Sequence, residues 1–153
     1  MKKIAILGST GSIGVSTLEV IEANPGFCSV NLLAAESNTN SIFEQCQKFH
    51  PQYAYLKQDS SAKELKDKLS SKKLNTLVVN QDDFLKVISG SEVDVVVAGI
   101  VGVAGLKSVH AAVLAGKRIL LANKESYVVA GELLNNLAEL NKANIFPIDS
   151  EHS

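Results

Sequence analysis

The sequence holds no apolar run long enough to cross a bilayer. Its longest apolar and glycine stretch, residues 95–106 between Asp94 and Lys107, falls short of the roughly 18 residues a spanning helix needs, so it reads as a buried strand followed by a turn. There is little excess of either charge, with 15 Lys and Arg against 16 Asp and Glu and a net charge of −1. Without a basic field to concentrate phosphate backbones, nucleic acid is a poor partner. Cysteine is scarce: Cys28 and Cys46 match no metal or redox spacing and read as free, buried thiols of a protein in a reducing cytosol. Met1-Lys2-Lys3 passes directly into strand-like residues with neither an apolar signal region nor a small-residue cleavage site, so the expectation is a cytoplasmic chain without an export signal. Internal repeats and low-complexity segments are missing as well.

What is present suffices for one core. At 153 residues, 46% hydrophobic and 20% charged, the chain has the size and composition of a single domain. Short β-branched runs, predicted as strands over residues 4–7, 30–35, 53–56, 77–79, 93–98, 119–122 and 145–148, alternate with amphipathic stretches. The helical stripes are Gly14, Leu18 and Ile21, then Ile42, Cys46 and Phe49, then Val129, Leu133 and Leu137. Asn24-Pro25-Gly26, His50-Pro51 and Gly116 mark helix ends, and Ser61 with Glu64 has the spacing of a capping box. A strand reached only by a helical return pairs in parallel with right-handed crossovers, so the predicted class is α/β, a doubly wound, mostly parallel, three-layer Rossmann-like sheet. Residues 93–98 and 119–122 contain few polar side chains, as strands covered on both faces should. Pro147 cannot donate to a ladder, which puts the last strand at or near an edge.

The chemistry-bearing motifs sit where strands end. Residues 8–14, GSTGSIG, carry Gly8, Gly11 and Gly14 between a strand and a helix. Glycines there allow a tight turn, close approach to a pyrophosphate and close helix packing, while the helix N-terminus offers free N–H groups to an anion. A structural turn without a ligand is the alternative. The second strand runs into Glu36-Ser37-Asn38, the position that faces the adenosine ribose in a dinucleotide fold. An acid there favours the 2′-hydroxyl of NADH. A carboxylate about 4 Å from a 2′-phosphate charge costs roughly 4 kcal/mol at an effective dielectric of 20, and the closest following base in sequence is Lys48. If the cofactor is NADPH, Glu36 must turn away.

Three glycines in residues 98–105 fit close backbone approach to a flat ligand or a plain tight loop. Asn123-Lys124-Glu125 brings an amide, a cation and a carboxylate to one strand end, with a solvated loop as the bland reading. In Asp149-Ser150-Glu151-His152 the two acids are two apart and share one side of an extended chain, a hard-oxygen pair suited to Mg²⁺ or Mn²⁺ or simply an acidic tail. His152 is either a ligand or a proton carrier or, as a lone His more often is, neither; His50 and His110 read as structural. Gly8, Glu36, Gly99, Asn123 and Asp149 each follow a predicted strand, and ligands of open α/β sheets bind along that edge.

Together GSTGSIG at 8–14, GIVGVAGL at 99–106, LLANKES at 120–126 and PIDSEH at 147–152 resemble the 1-deoxy-D-xylulose 5-phosphate reductoisomerases over the whole chain. The resemblance implies an enzyme of isoprenoid synthesis by the non-mevalonate route. It rearranges 1-deoxy-D-xylulose 5-phosphate to a branched aldehyde and reduces it with NADPH to 2-C-methyl-D-erythritol 4-phosphate, with a divalent metal, Mg²⁺ or Mn²⁺, gripping substrate oxygens. By motif position it assigns Gly8, Thr10, Gly11, Ser12 and Ile13 to the pyrophosphate turn, Ser37 and Asn38 to the adenosine side, and Asn123 and Glu125 to further cofactor contacts. It assigns Lys124, Ser150 and Glu151 to substrate, Asp149 and Glu151 to metal, and catalysis to Lys124, Asp149 and Glu151. It further implies a homodimer, with residues 1–148 as the dinucleotide-binding domain and 149–153 as the start of a metal- and substrate-binding domain. A third acidic ligand would lie beyond Ser153. The expectation is that these 153 residues bind nucleotide without turnover.

Glu36 stands where members of that family commonly have glycine. Two rival readings stand beside this resemblance, a dehydrogenase that starts with a similar glycine turn and a nucleotide-sensing module for which this length suffices. A semialdehyde dehydrogenase needs a nucleophilic Cys at a strand's carboxyl end, where neither Cys28 nor Cys46 is expected. A nucleotide-sensing module has no need of the Asp149 and Glu151 pair.

Overall fold

The computed structural model of the chain describes residues 1–99, 105–122 and 124–148, with 124–130 described at the level of the backbone. Strands and helices alternate along it as β1 (Lys2–Leu7), α1 (Ser12–Ala23), β2 (Cys28–Ala35), α2 (Thr39–Phe49), β3 (Tyr53–Leu56), α3 (Asp59–Ser71) and β4 (Leu77–Val78). There follow α4 (Gln81–Ser89), β5 (Val95–Ala98), α5 (Leu106–Leu114), β6 (Arg118–Leu121), α6 (Lys124–Asn141) and β7 (Asn144–Pro147). Among the described residues the strands form one seven-stranded sheet in the order β4-β3-β2-β1-β5-β6-β7, with each of these pairings parallel. This is the doubly wound Rossmann-like α/β class that the alternation predicts, and β7 with Pro147 lies at an edge as expected.

The chain reverses direction across the sheet between β1 and β5. Return helices before the reversal cover one face and those after it cover the other, because each crossover keeps the same hand. Ile4, Ile6, Leu18, Ile42, Cys46 and Leu65 pack in the first core; Ala5, Leu7, Phe84, Ile88, Val109 and Leu134 pack in the second. β1 alternates between them residue by residue, which is why it reads as an unbroken apolar run.

One irregularity sets the phase of the site. The β1–β2 register runs Ile4↔Val30 and then Ala5↔Leu32, so Asn31 is an extra residue in β2. A bulge of this kind flips the side-chain alternation. Val30 therefore faces the first core and Leu32 and Ala34 the second. Asn31 itself is buried and donates from Nδ2 to Gln52 Oε1 at 3.4 Å.

Two sequence expectations are corrected. α3 begins at Asp59 with Gln58 as its N-cap, and Ala62 N–H already donates to Gln58 O. Ser61 and Glu64 thus lie inside the helix and form no capping box. Along α6, Leu134 and Ala138 are buried while Leu133 is 61% exposed, so the buried stripe runs through Leu134, Leu137 and Ala138 rather than through Leu133. Adjacent leucines leave the helix rotation ambiguous by about 100°, and packing on α5 and β7 settles it. Val129 belongs to the residues described by backbone only.

The expected helix ends hold. His50 ends α2 in the left-handed region, and Gly116 follows α5 with φ 74°. Cys28 is half-buried and Cys46 fully buried, both free. Burial pushes the Cys46 thiol up from 9.0 to about 11, opposed by a hydrogen bond with Thr76. The unfolded thiolate forms first, so this group's contribution to stability is complete below pH 9 and is lost as pH rises towards 11. In urea titrations the chain should lose stability over that window relative to Cys46→Ala. Parallel pH profiles of the two would show the thiol to be solvated.

Candidate nucleotide-binding site

The glycine turn is built from the end of β1. Gly8 N–H and Ser9 N–H both donate to Ala34 O, at 2.8 and 2.9 Å, which ties the turn to β2. Gly8 takes φ 85°, a left-handed conformation that favours glycine. Gly11 N–H closes the turn on Gly8 O at 3.1 Å and then serves as the N-cap of α1. A Cβ on Gly14 would lie 2.4 Å from Gly8 O and 2.5 Å from Ser9 Cα, so only glycine lets α1 sit this close to the strand end. From α2, Gln45 Nε2 donates to Ser9 O at 2.9 Å.

This geometry leaves α1 with a bare start. No side chain caps it and no acid sits in its first turn. The N–H groups of Ser12, Ile13 and Gly14 have no acceptor within the helix, and the helix dipole adds to their positive field. They lie at the reversal between β1 and β5, where open α/β sheets bind ligands. Across that reversal Gly99 donates to Leu7 O at 2.7 Å, and a Cβ there would touch Ile13. On the far side Gly105 is the N-cap of α5, and its carbonyl accepts from Ser108 Oγ at 2.9 Å.

A cleft of about 600 Å³ opens over this rim. Gly8, Thr10, Gly11, Glu36 and Gly99 line it, as strand-end placement predicts. Residues that sequence reasoning missed complete it: Tyr55 and Lys57 from the end of β3, Gln81, Phe84 and Leu85 from α4, and Lys107 and Ser108 from α5. Tyr55 and Phe84 stack with centroids 4.2 Å apart and planes 7° from parallel, an apolar wall suited to a flat ring. Strand-end position was the available signal for Tyr55 and Lys57. For α4 there was none, because its approach depends on the crossover back to β5.

Ser37 and Asn38 form the β2–α2 connection. Asn38 Oδ1 accepts from Ser41 N–H at 3.2 Å and caps α2, leaving its amide N–H₂ free to donate. Ser37 O accepts from Thr39 N–H at 2.8 Å. Lys48, the closest following base in sequence, is in the last turn of α2 and pairs with Glu22, away from Glu36 and the cleft. Lys124 and Glu125 open α6. Asn123, Asp149, Ser150, Glu151 and His152 lie outside the described residues, although Ala122 and Ile148 beside them donate to Ala98 O and Leu121 O at the same rim. Among the described residues no three His, Cys, Asp or Glu side chains gather as a metal centre, and no helix is long and apolar enough to cross a membrane.

A parallel doubly wound sheet with a glycine turn and an uncapped helix start at its switch point defines a Rossmann-type α/β domain. Sequence comparison narrows the class. The profile of the 1-deoxy-D-xylulose 5-phosphate reductoisomerases matches residues 4–131, and the chain belongs to that family. The reductoisomerase of Buchnera aphidicola subsp. Schizaphis graminum is 46% identical over 100% of this chain. A crystal structure of DOX-P reductoisomerase in complex with NADPH, fosmidomycin and magnesium superposes with a TM-score of 0.92 at 41% identity, covering 99% of this chain and 37% of that one. The Zymomonas mobilis enzyme in complex with NADPH gives 0.88 at 33% identity, covering 99% of this chain and 39% of that one. The chain spans 39% of the length of the Buchnera relative.

Proposed function

We propose that the chain is the NADPH-binding part of a metal-dependent reductoisomerase that converts 1-deoxy-D-xylulose 5-phosphate to 2-C-methyl-D-erythritol 4-phosphate. The observation that carries the reading is the bare first turn of α1, opened by the glycine turn at the switch point of the sheet. Family membership and the relatives' complexes with NADPH and magnesium support it. Thr10, Gly11, Ser12 and Ile13 would cradle the pyrophosphate with backbone N–H groups, the Gly8 turn allowing the approach. Ser37 and the free amide of Asn38 would meet the adenosine side, and Asn123 and Glu125 the remainder of the cofactor.

Bound NADPH supplies the hydride that reduces the rearranged aldehyde. The chain's own part is to hold the nicotinamide at the rim and to present Lys124 to the substrate, with Ser150 and Glu151 as further substrate contacts. Asp149 and Glu151 would hold the divalent metal. Residues 1–148 then act as the nucleotide domain, 149–153 lead into the metal- and substrate-binding domain, and the full-length enzyme works as a homodimer in the cytoplasm. The 153 residues alone should bind NADPH, seen as a shift in its fluorescence on titration, and should not turn over substrate. Steady conversion by the purified chain would contradict the division of labour; absence of any NADPH binding would remove the assignment.

A further inference from the structure

Glu36 poses a problem for NADPH, since it is a carboxylate where a 2′-phosphate should lie. The structure places a cation beside it. In the β2–β3 register Ala34 pairs with Tyr55 and Ala35 with Leu56. Past the strand ends Lys57 N–H donates to Ala35 O at 3.1 Å and Gln58 N–H to Glu36 O at 3.0 Å, so the two segments stay side by side although two consecutive donors to one strand end the regular ladder. Glu36 and Lys57 are therefore cross-strand neighbours, about 4.8 Å apart at the backbone. Both line the cleft together with Ala34 and Tyr55. The Asn31 bulge sets the phase of Ala34, which brings that residue to the cleft side of the sheet.

Lys57 is exposed and, among the described residues, the ion pair present is Lys48 with Glu22, so Lys57 is not bound to Glu36. Lys57 also lines an adjoining groove with Lys63 and Lys66 from α3, against the single carboxylate of Asp59. A phosphate at this corner thus meets a net positive field.

Resting on the NADPH reading above, we propose that Lys57 is the residue that selects the cofactor's 2′-phosphate, and that Glu36 opposes it. The two make a graded selector. Lys57 attracts the dianionic phosphate, and Glu36 accepts from a ribose 2′-hydroxyl when the phosphate is missing. Lys107, in the first turn of α5 at the other end of the cleft, faces the part common to both nucleotides and should not discriminate.

The test is titration of the chain and its Lys57→Gln, Lys57→Arg, Glu36→Gln and Lys107→Gln variants with NADPH and NADH at low and high salt. Neutralising Lys57 should weaken NADPH about tenfold or more while changing NADH less than threefold, and Lys57→Arg should restore the preference. Glu36→Gln should shift the ratio the other way. Equal loss of both nucleotides in Lys57→Gln, or discrimination that follows Lys107 instead, overturns the proposal and leaves the NADPH-binding assignment intact. If the unmodified chain binds neither nucleotide, that assignment fails and the selector with it. Lys57 contributes only its backbone to the ladder, so the variants should keep the parent melting temperature.

Discussion

Gly14→Ala should cost about 3 kcal/mol or more of stability and abolish nucleotide binding. The added Cβ would lie 2.4 Å from Gly8 O and within 2.6 Å of Ser9 Cα and the Ser9 carbonyl carbon. These are backbone atoms, held by the two hydrogen bonds to Ala34 O. They cannot swing aside as the end of a flexible side chain would, so either α1 moves off the sheet or the glycine turn opens. Overpacking of a close-packed site costs about 1–3 kcal/mol and more where nothing can yield. For a domain of this size that lowers the melting temperature by roughly 10 °C. The same displacement moves the N–H groups of Ser12 and Ile13 out of line with the pyrophosphate. Gly26→Ala is the matching control. It has φ 93° with open space around it, so it should cost about 1 kcal/mol in backbone strain and leave binding unchanged. Equal melting temperatures for Gly14→Ala and the parent would mean that the helix does not sit this close to the strand.

Phe84→Ala should be the second large effect, about 4 kcal/mol. Phe84 is 5% exposed and stacks on Tyr55, so truncation removes an aromatic pair and leaves a hole between α4 and the sheet. Because Phe84 also lines the cleft, nucleotide affinity should fall by more than the loss of folded protein accounts for. Urea unfolding gives the first quantity, and titration of NADPH under conditions where the variant is folded gives the second. Phe84→Leu keeps most of the apolar volume and should recover stability before it recovers affinity. If both variants bind as the parent does, the Tyr55–Phe84 wall is not part of the nucleotide site.

Strand positions were legible because each buried strand is a β-branched run bounded by turn residues. All seven appear, with ends displaced by up to two residues. Helix ends at Ala23, Phe49 and Leu114 were legible for the same local reason, since Pro and Gly act on their own backbone. The rotation of α6 was not, because Leu133 and Leu134 offer two stripes and a single sequence does not say which meets α5 and β7. The start of α3 was not legible because Ser61 and Glu64 have the spacing of a cap, while the helix is capped three residues earlier at Gln58. The bulge at Asn31 left no mark in the pattern, since the residues after it are apolar on both faces.

The glycine turn and the strand-end acid were legible as chemistry, because their residue types are tied to a local backbone shape. Lys57 was not. Sequence proximity pointed to Lys48 as the nearest base to Glu36, but a helix carries Lys48 to its far end, where it pairs with Glu22. The parallel register instead brings Lys57 beside Glu36 from the next strand.

By itself, then, the sequence determined the class of fold, the turn at residues 8–14, the family and the strand ends on which a site is built, because each is encoded in the conformational preferences of neighbouring residues. Only the tertiary structure decided which side chains share the cleft. That choice depends on strand register, on a one-residue bulge and on the return of α4 across the sheet, all of which are set by packing between segments far apart in the chain.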